Sequence, residues 1–139
     1  MPLDRNTVWW VPGFVACFFA VGITFWPLPY NSVQFPTALM NWSLLVVAAA
    51  ALLTRIYSGR NLFLVALAIG AAVPAAIYAQ VVVDTMSDPT RHNLWPLELL
   101  MGAFVAFPVA LAGAFLGWLI VRLRMRGHPD AVAPEREPS

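Results

Sequence analysis

Five side chains that could bind a metal ion or transfer a proton are concentrated in one polar stretch of an otherwise apolar chain. They are three carboxylates, one guanidinium and one imidazole: Asp84, Asp88, Arg91, His92 and Glu98. Carboxylates beside an imidazole can bind a divalent metal ion or act as a general acid/base pair. Their spacing matches no particular metal-binding motif, and a single histidine among acids is a poor ligand set. We therefore favour a role in ordering the loop, with Arg91 offsetting the acids, and keep ligand or metal binding as an alternative.

Motifs for most other chemistries are missing from the sequence. Cys17 is the single cysteine, which excludes an intrachain disulfide or a paired-cysteine metal site. Neither histidine lies within an apolar stretch, so bis-histidine haem is excluded there. There is no Gly-rich phosphate loop and no recognisable Ser-His-Asp motif. The net charge of +1 argues against a nucleic-acid partner. We expect no cofactor and a protein that is not an enzyme.

The rest of the chain consists mainly of apolar segments long enough to cross a membrane. Of its 139 residues 60% are hydrophobic and 11% are charged, whereas a typical soluble domain has about 25% charged residues. A helix of about 20 apolar residues crosses a hydrocarbon core of ~30 Å and satisfies its own backbone hydrogen bonds there. The predicted fold class is therefore all-α, a polytopic membrane protein with four transmembrane helices in a compact bundle. The predicted spans are about 8–28, 37–54, 62–83 and 99–121 within a domain of residues 1–126.

Arginines alternate across these spans and predict an orientation. Six of them belong to one side: Arg5, Arg55, Arg60, Arg122, Arg124 and Arg126. The opposite side has an uncharged loop at 29–36 and only Arg91 in the second loop. Under the positive-inside rule both termini are cytoplasmic, and we expect a multi-pass protein of a bacterial inner membrane. The Pro-rich and acidic tail, 127–139, is predicted to be disordered because it has little to bury.

Small residues and prolines within the last two spans predict how these helices pack. Small side chains let helix backbones approach closely in lipid, and here they are Ala72, Ala76, Gly102, Ala106, Ala110, Gly113 and Gly117. We expect spans three and four to form a tight hairpin, with leftover small faces available to another protomer or partner. Pro74 and Pro108 lie in mid-helix and are expected to kink these spans.

Three functions remain open on this basis. The favoured one is a non-enzymatic membrane subunit, homo-oligomeric or part of a larger complex, whose outer loops (about 27–36 and 84–96) make the contacts. The first alternative is an oligomeric small-solute transporter or channel with Asp84 and Glu98 at its outer mouth. The second is a metal- or ligand-handling membrane protein that uses Asp84, Asp88, His92 and Glu98. No acid or base lies at mid-membrane, where an ion-coupled transporter usually has one.

Overall fold

The computed structural model describes residues 8–28, 37–87 and 94–126, and these ranges are helical without any strand. The α-helices are α1 (Trp10–Phe25), α2 (Trp42–Ser58), α3 (Leu62–Gly70), α4 (Ala72–Ser87) and α5 (Trp95–Arg126), with a short 3-10 helix (Thr37–Leu39) before α2. The all-α fold is thus confirmed. The tail 127–139 lies outside the described residues.

Capping residues set the ends of α2. Its N-cap is Asn41, whose side-chain oxygen accepts a hydrogen bond from the Ser43 amide at 2.8 Å. It ends before Gly59, which has a left-handed backbone (φ 60°) that a residue with a side chain rarely adopts. The helix therefore begins five residues later and ends four residues later than the predicted span 37–54, because caps end a helix whereas hydropathy only outlines its apolar part.

The third predicted span is a rod made of two helices. Asn61 caps α3 by accepting a hydrogen bond from the Phe63 amide at 2.9 Å. The rod is interrupted at Ala71, three residues before Pro74, where the proline removes one helical hydrogen bond. The Ala75 amide still donates to the Ala71 carbonyl at 3.1 Å, so the chain continues directly into α4. By contrast, α5 runs unbroken through Pro108. How far each proline bends its rod stays a prediction.

Four rods, namely α1, α2, the α3–α4 rod and α5, form a bundle. Within it α1 and α5 are separated by α2 and by the α3–α4 rod. Gly113 and Gly117 meet Ala48 and Leu52 in the same order, so α2 and α5 run parallel. The α3–α4 rod runs antiparallel to α5, and α1 runs antiparallel to α2. All described arginines lie toward one end of the bundle, here called the arginine end. Asp84 and Glu98 lie toward the opposite end, here called the carboxylate end.

The bundle buries small side chains and exposes large apolar ones. Its fully buried core includes many alanines, among them Ala51, Ala66, Ala72, Ala76, Ala106, Ala110 and Ala114. Phe104 is 77% exposed, Leu45 72% and Phe63 71%. Two helical stretches, Leu62–Ser87 and Trp95–Arg126, are long and apolar enough to cross a membrane, and α1 and α2 are shorter apolar helices.

Candidate functional site

The glycines of α5 are the points where its backbone approaches the neighbouring helices most closely. A Cβ built on Gly102 would overlap the side chain of Ile77 in α4. A Cβ on Gly113 would lie 2.9 Å from the Cα and the carbonyl carbon of Ala48 in α2, and closer still to its oxygen. On Gly117 it would lie 2.7 Å from the carbonyl oxygen of Leu52. The helix backbones can approach this closely only because these residues have no side chain.

Gly113 and Gly117 contact a different helix from the one expected. The sequence predicts that the small faces of spans three and four pair, and the structure agrees at Gly102 and at Gly70, which lies against Ala110 and Phe107. Toward the arginine end the partner of α5 is α2, where the alanine run 48–51 leaves the backbone accessible. The Gly-x-x-x-Gly pair is consequently occupied within one chain and is not a free surface for another protomer.

The candidate ligand cluster is only partly within the described residues. Asp84 lies near the end of α4, and Glu98 lies in the first turn of α5, where the helix dipole favours a negative charge. The rings of Tyr78 and Trp95, 6.1 Å apart, place these two helix ends side by side. Asp88, Arg91 and His92 lie outside the described residues. Among residues 8–28, 37–87 and 94–126, no group of three or more potential metal ligands occurs.

Two polar side chains near the carboxylate end have surroundings that the sequence did not predict. The indole N–H of Trp26 donates to the carbonyl oxygen of Ala76 at 3.0 Å and so links α1 to α4. One turn farther along α4, the side-chain carbonyl oxygen of Gln80 is buried without a hydrogen-bond partner among the described residues. Hydropathy does not predict the Trp26 hydrogen bond, because it carries no information about a partner 50 residues away.

Aromatic side chains make ring contacts at the arginine end. Trp9, just before α1, stacks on Tyr57 in the last turn of α2 with 5.2 Å between ring centroids. The guanidinium of Arg122 lies 4.9 Å from the centroid of the Trp118 ring, a cation–π contact. These aromatics therefore mark a boundary at which apolar helix surface gives way to charge.

Two grooves flank α1 near the arginine end, each with a volume of about 390 Å³. The α1–α3 groove is lined by Trp10, Phe14, Thr54, Ser58, Arg60, Leu64, Val65, Ala68 and Ala71. The α1–α2 groove is lined by Trp9, Pro12, Gly13, Ala16, Val46, Ala49, Ala50, Leu53, Thr54 and Tyr57. Both are mainly apolar, and only the first has a charged residue in its lining. The sequence alone indicated neither groove.

Comparison with known proteins does not assign the chain to a family. No family model, no curated protein and no solved structure matches it.

Proposed function

We propose that this chain is an integral protein of a bacterial inner membrane that crosses the bilayer four times with both termini in the cytoplasm. We further propose that it acts there as a non-enzymatic subunit of a homo-oligomer or of a larger membrane complex. Lipid is the surrounding medium in this proposal, and the arginine end faces the cytoplasm.

The main support for this proposal is that large apolar side chains lie on the outside of the bundle and small ones on the inside, the opposite of a water-soluble protein. Exposed large apolar residues occur along every rod, for example Phe19 on α1 (51% exposed), Leu45 on α2 (72%), Phe63 on α3 (71%) and Phe104 on α5 (77%). In water, so much exposed apolar surface would drive aggregation. In lipid it carries no penalty, and small residues inside the bundle then provide the close backbone packing that holds helices together.

The separation of charge toward the two ends supports the orientation. Arg55, Arg60, Arg122, Arg124 and Arg126 lie toward the arginine end, and the described carboxylates lie toward the other. Arginine on the cytoplasmic side is the bias that sets orientation in inner membranes. The rings of Trp9 and Tyr57 lie at the same end, and in the proposed membrane they would be interfacial aromatics.

A filled bundle axis favours a subunit over a channel within one chain. Leu39 (1% exposed) lies toward the carboxylate end, Val47 and Ile77 (both 0%) lie near the middle, and Ile69 (0%) lies toward the arginine end. A transport path would then have to run between copies of the chain. The connections 29–36 and 88–93, outside the described residues, remain the main part of the proposed contact surface at the carboxylate end.

Thiol labelling tests the membrane location and the orientation together. Cys17, which is fully buried, is replaced by alanine, and single cysteines are introduced as Met86→Cys, Phe104→Cys or Met125→Cys. The native side chains are 85%, 77% and 69% exposed, respectively, so burial within the protein does not distinguish them. With a membrane-impermeant maleimide we expect labelling of Met86→Cys in intact cells and of Met125→Cys only after permeabilisation.

The remaining variant is the decisive control. Phe104→Cys lies five residues inside the predicted span 99–121 and is expected to stay unlabelled in both conditions, because a thiol surrounded by lipid does not ionise. Rapid labelling of Phe104→Cys would contradict the membrane location, and equal labelling of the two methionine sites in intact cells would contradict the orientation. Native mass spectrometry in mild detergent tests the subunit role: a species of only 15.3 kDa, one chain, would count against it.

A further inference from the structure

The α1–α3 groove has the dimensions of one lipid chain within one leaflet. It extends from Arg60, just before α3, to Ala71 at the end of that helix. The helical part, residues 62–71, rises by about 14 Å at 1.5 Å per residue. Half of a hydrocarbon core of ~30 Å is about 15 Å. The groove therefore runs from the boundary of the proposed membrane domain to about its middle.

The lining of this groove changes from polar to apolar along its length. Arg60, Ser58 and Trp10 line it at the arginine end, and its inner part is lined by Leu64 and Ala68. Arg60 is exposed and lines the groove at its arginine end, the level at which headgroups would lie in the proposed membrane. A positive side chain above an apolar groove complements a ligand with an anionic head and a hydrocarbon tail.

The α1–α2 groove provides an internal comparison. Its volume is the same, about 390 Å³, and it lies at the same end of the bundle. Its lining contains no charged residue. Any lipid chain can occupy such a groove, but nothing in its lining selects the headgroup, since lipid tails have no preference for one apolar wall over another.

We propose that the α1–α3 groove binds one anionic phospholipid of the leaflet at the arginine end, with its phosphate beside Arg60 and one acyl chain along α3. This inference rests on the proposed membrane location and adds a ligand to it. The selectivity comes from the charge at Arg60, and the shape of the groove fixes the position of the chain.

Photo-crosslinking in vesicles tests the site. The purified chain is reconstituted in phosphatidylcholine containing phosphatidylglycerol with a diazirine in one acyl chain, and adducts are located by mass spectrometry after irradiation. We expect adducts at Phe14 and Leu64, and a several-fold loss of them in Ala68→Leu, which fills the groove. Ala49→Leu, the matched change in the α1–α2 groove, should leave these adducts unchanged. Adducts spread evenly over all helices, or an adduct yield at Phe14 and Leu64 that Ala68→Leu leaves unchanged, would overturn the site.

A second measurement tests the selectivity for an anionic headgroup. Arg60→Gln should lower the ratio of phosphatidylglycerol to phosphatidylcholine adducts in the groove by about fivefold, which is about 1 kcal/mol for one arginine. Arg124→Gln removes a charge at the same end from an exposed site on α5 and should leave that ratio unchanged. Equal effects of the two variants would overturn the proposal, because they would indicate diffuse attraction by the whole surface.

Extraction with alkaline carbonate separates failure of this inference from failure of the proposed function. A chain that is washed out of the vesicles is not an integral membrane protein, and both proposals fail together. A chain that stays in the vesicles without preferred adducts in the groove removes the lipid site alone.

Discussion

The substitution Gly113→Ala is the sharpest test of how this bundle is held together. Its new methyl carbon would lie 2.9 Å from the Cα and carbonyl carbon of Ala48, and closer still to the carbonyl oxygen. Real Cβ atoms essentially never approach other atoms to less than 3.0 Å. All of these atoms belong to the backbone of α2, so no side-chain rotation can relieve the overlap, and α2 and α5 have to separate.

The magnitude follows from two opposing terms. Replacing glycine by alanine within a helix gains about 1 kcal/mol of intrinsic helix propensity. Overpacking typically costs about 1–3 kcal/mol, and more where atoms cannot move aside. A gap of about 0.5–1 Å also forfeits a quarter to a half of the dispersion energy of each contact across the interface. We expect Gly113→Ala to lower the free energy of unfolding by about 2 kcal/mol.

The matched control is Gly70→Ala, another buried glycine at a helix–helix contact. Its Cβ would lie 3.6 Å from the Cβ of Ala110 and 3.7 Å from Phe107, which are ordinary contacts. Gly70 is the last residue of α3, so its propensity gain is at most that at Gly113, and Gly70→Ala should leave the free energy of unfolding unchanged or raise it by up to about 1 kcal/mol.

Reversible unfolding in bicelles, followed by circular dichroism, compares the two variants. Adding Ala48→Gly to Gly113→Ala should not restore stability, because the overlap involves the backbone of Ala48 and not its methyl group. Equal stabilities of Gly70→Ala and Gly113→Ala, or rescue by Ala48→Gly, would refute the close approach of α2 and α5.

Two further substitutions test the carboxylate end. Trp26→Phe removes the indole N–H that donates to Ala76 and should lower the free energy of unfolding by about 0.5–1.5 kcal/mol. The control is Trp42→Phe, at a residue that is 54% exposed at the start of α2. A similar loss in the control would show that the hydrogen bond contributes nothing specific. Glu98→Gln should lower the free energy of unfolding by about 0.3–1 kcal/mol, because it removes a negative charge at the start of α5. Combined with Asp84→Asn, it should leave calorimetric titrations with Zn²⁺ and Mn²⁺ unchanged, and loss of a binding isotherm in the double variant would instead support a metal site.

Local patterns in the sequence were enough for the class of fold and for most helix positions. The runs of apolar residues predicted one helix over 62–83 and one over 99–121, because the hydrogen bonds of a helix join residues four apart and leave their mark on adjacent sequence. These spans overlap α3, α4 and α5, although α4 ends four residues later and α5 begins four residues earlier and ends five residues later than predicted. The ends of α2 were displaced from the prediction, although Asn41 and Gly59 are recognisable as capping residues. Of the candidate ligand cluster, Asp84 and Glu98 lie toward the same end of the bundle as predicted.

The partners of the helices were decided only by the tertiary structure. Small residues mark a helix surface that another backbone can approach, but they do not say which backbone. Gly113 meets Ala48 because α2 and α5 lie side by side and run parallel, a relation between segments 65 positions apart. The Trp26 hydrogen bond and the α1–α3 groove depend on the same arrangement. Composition and spacing describe one helix at a time, whereas contacts and grooves belong to helices in combination.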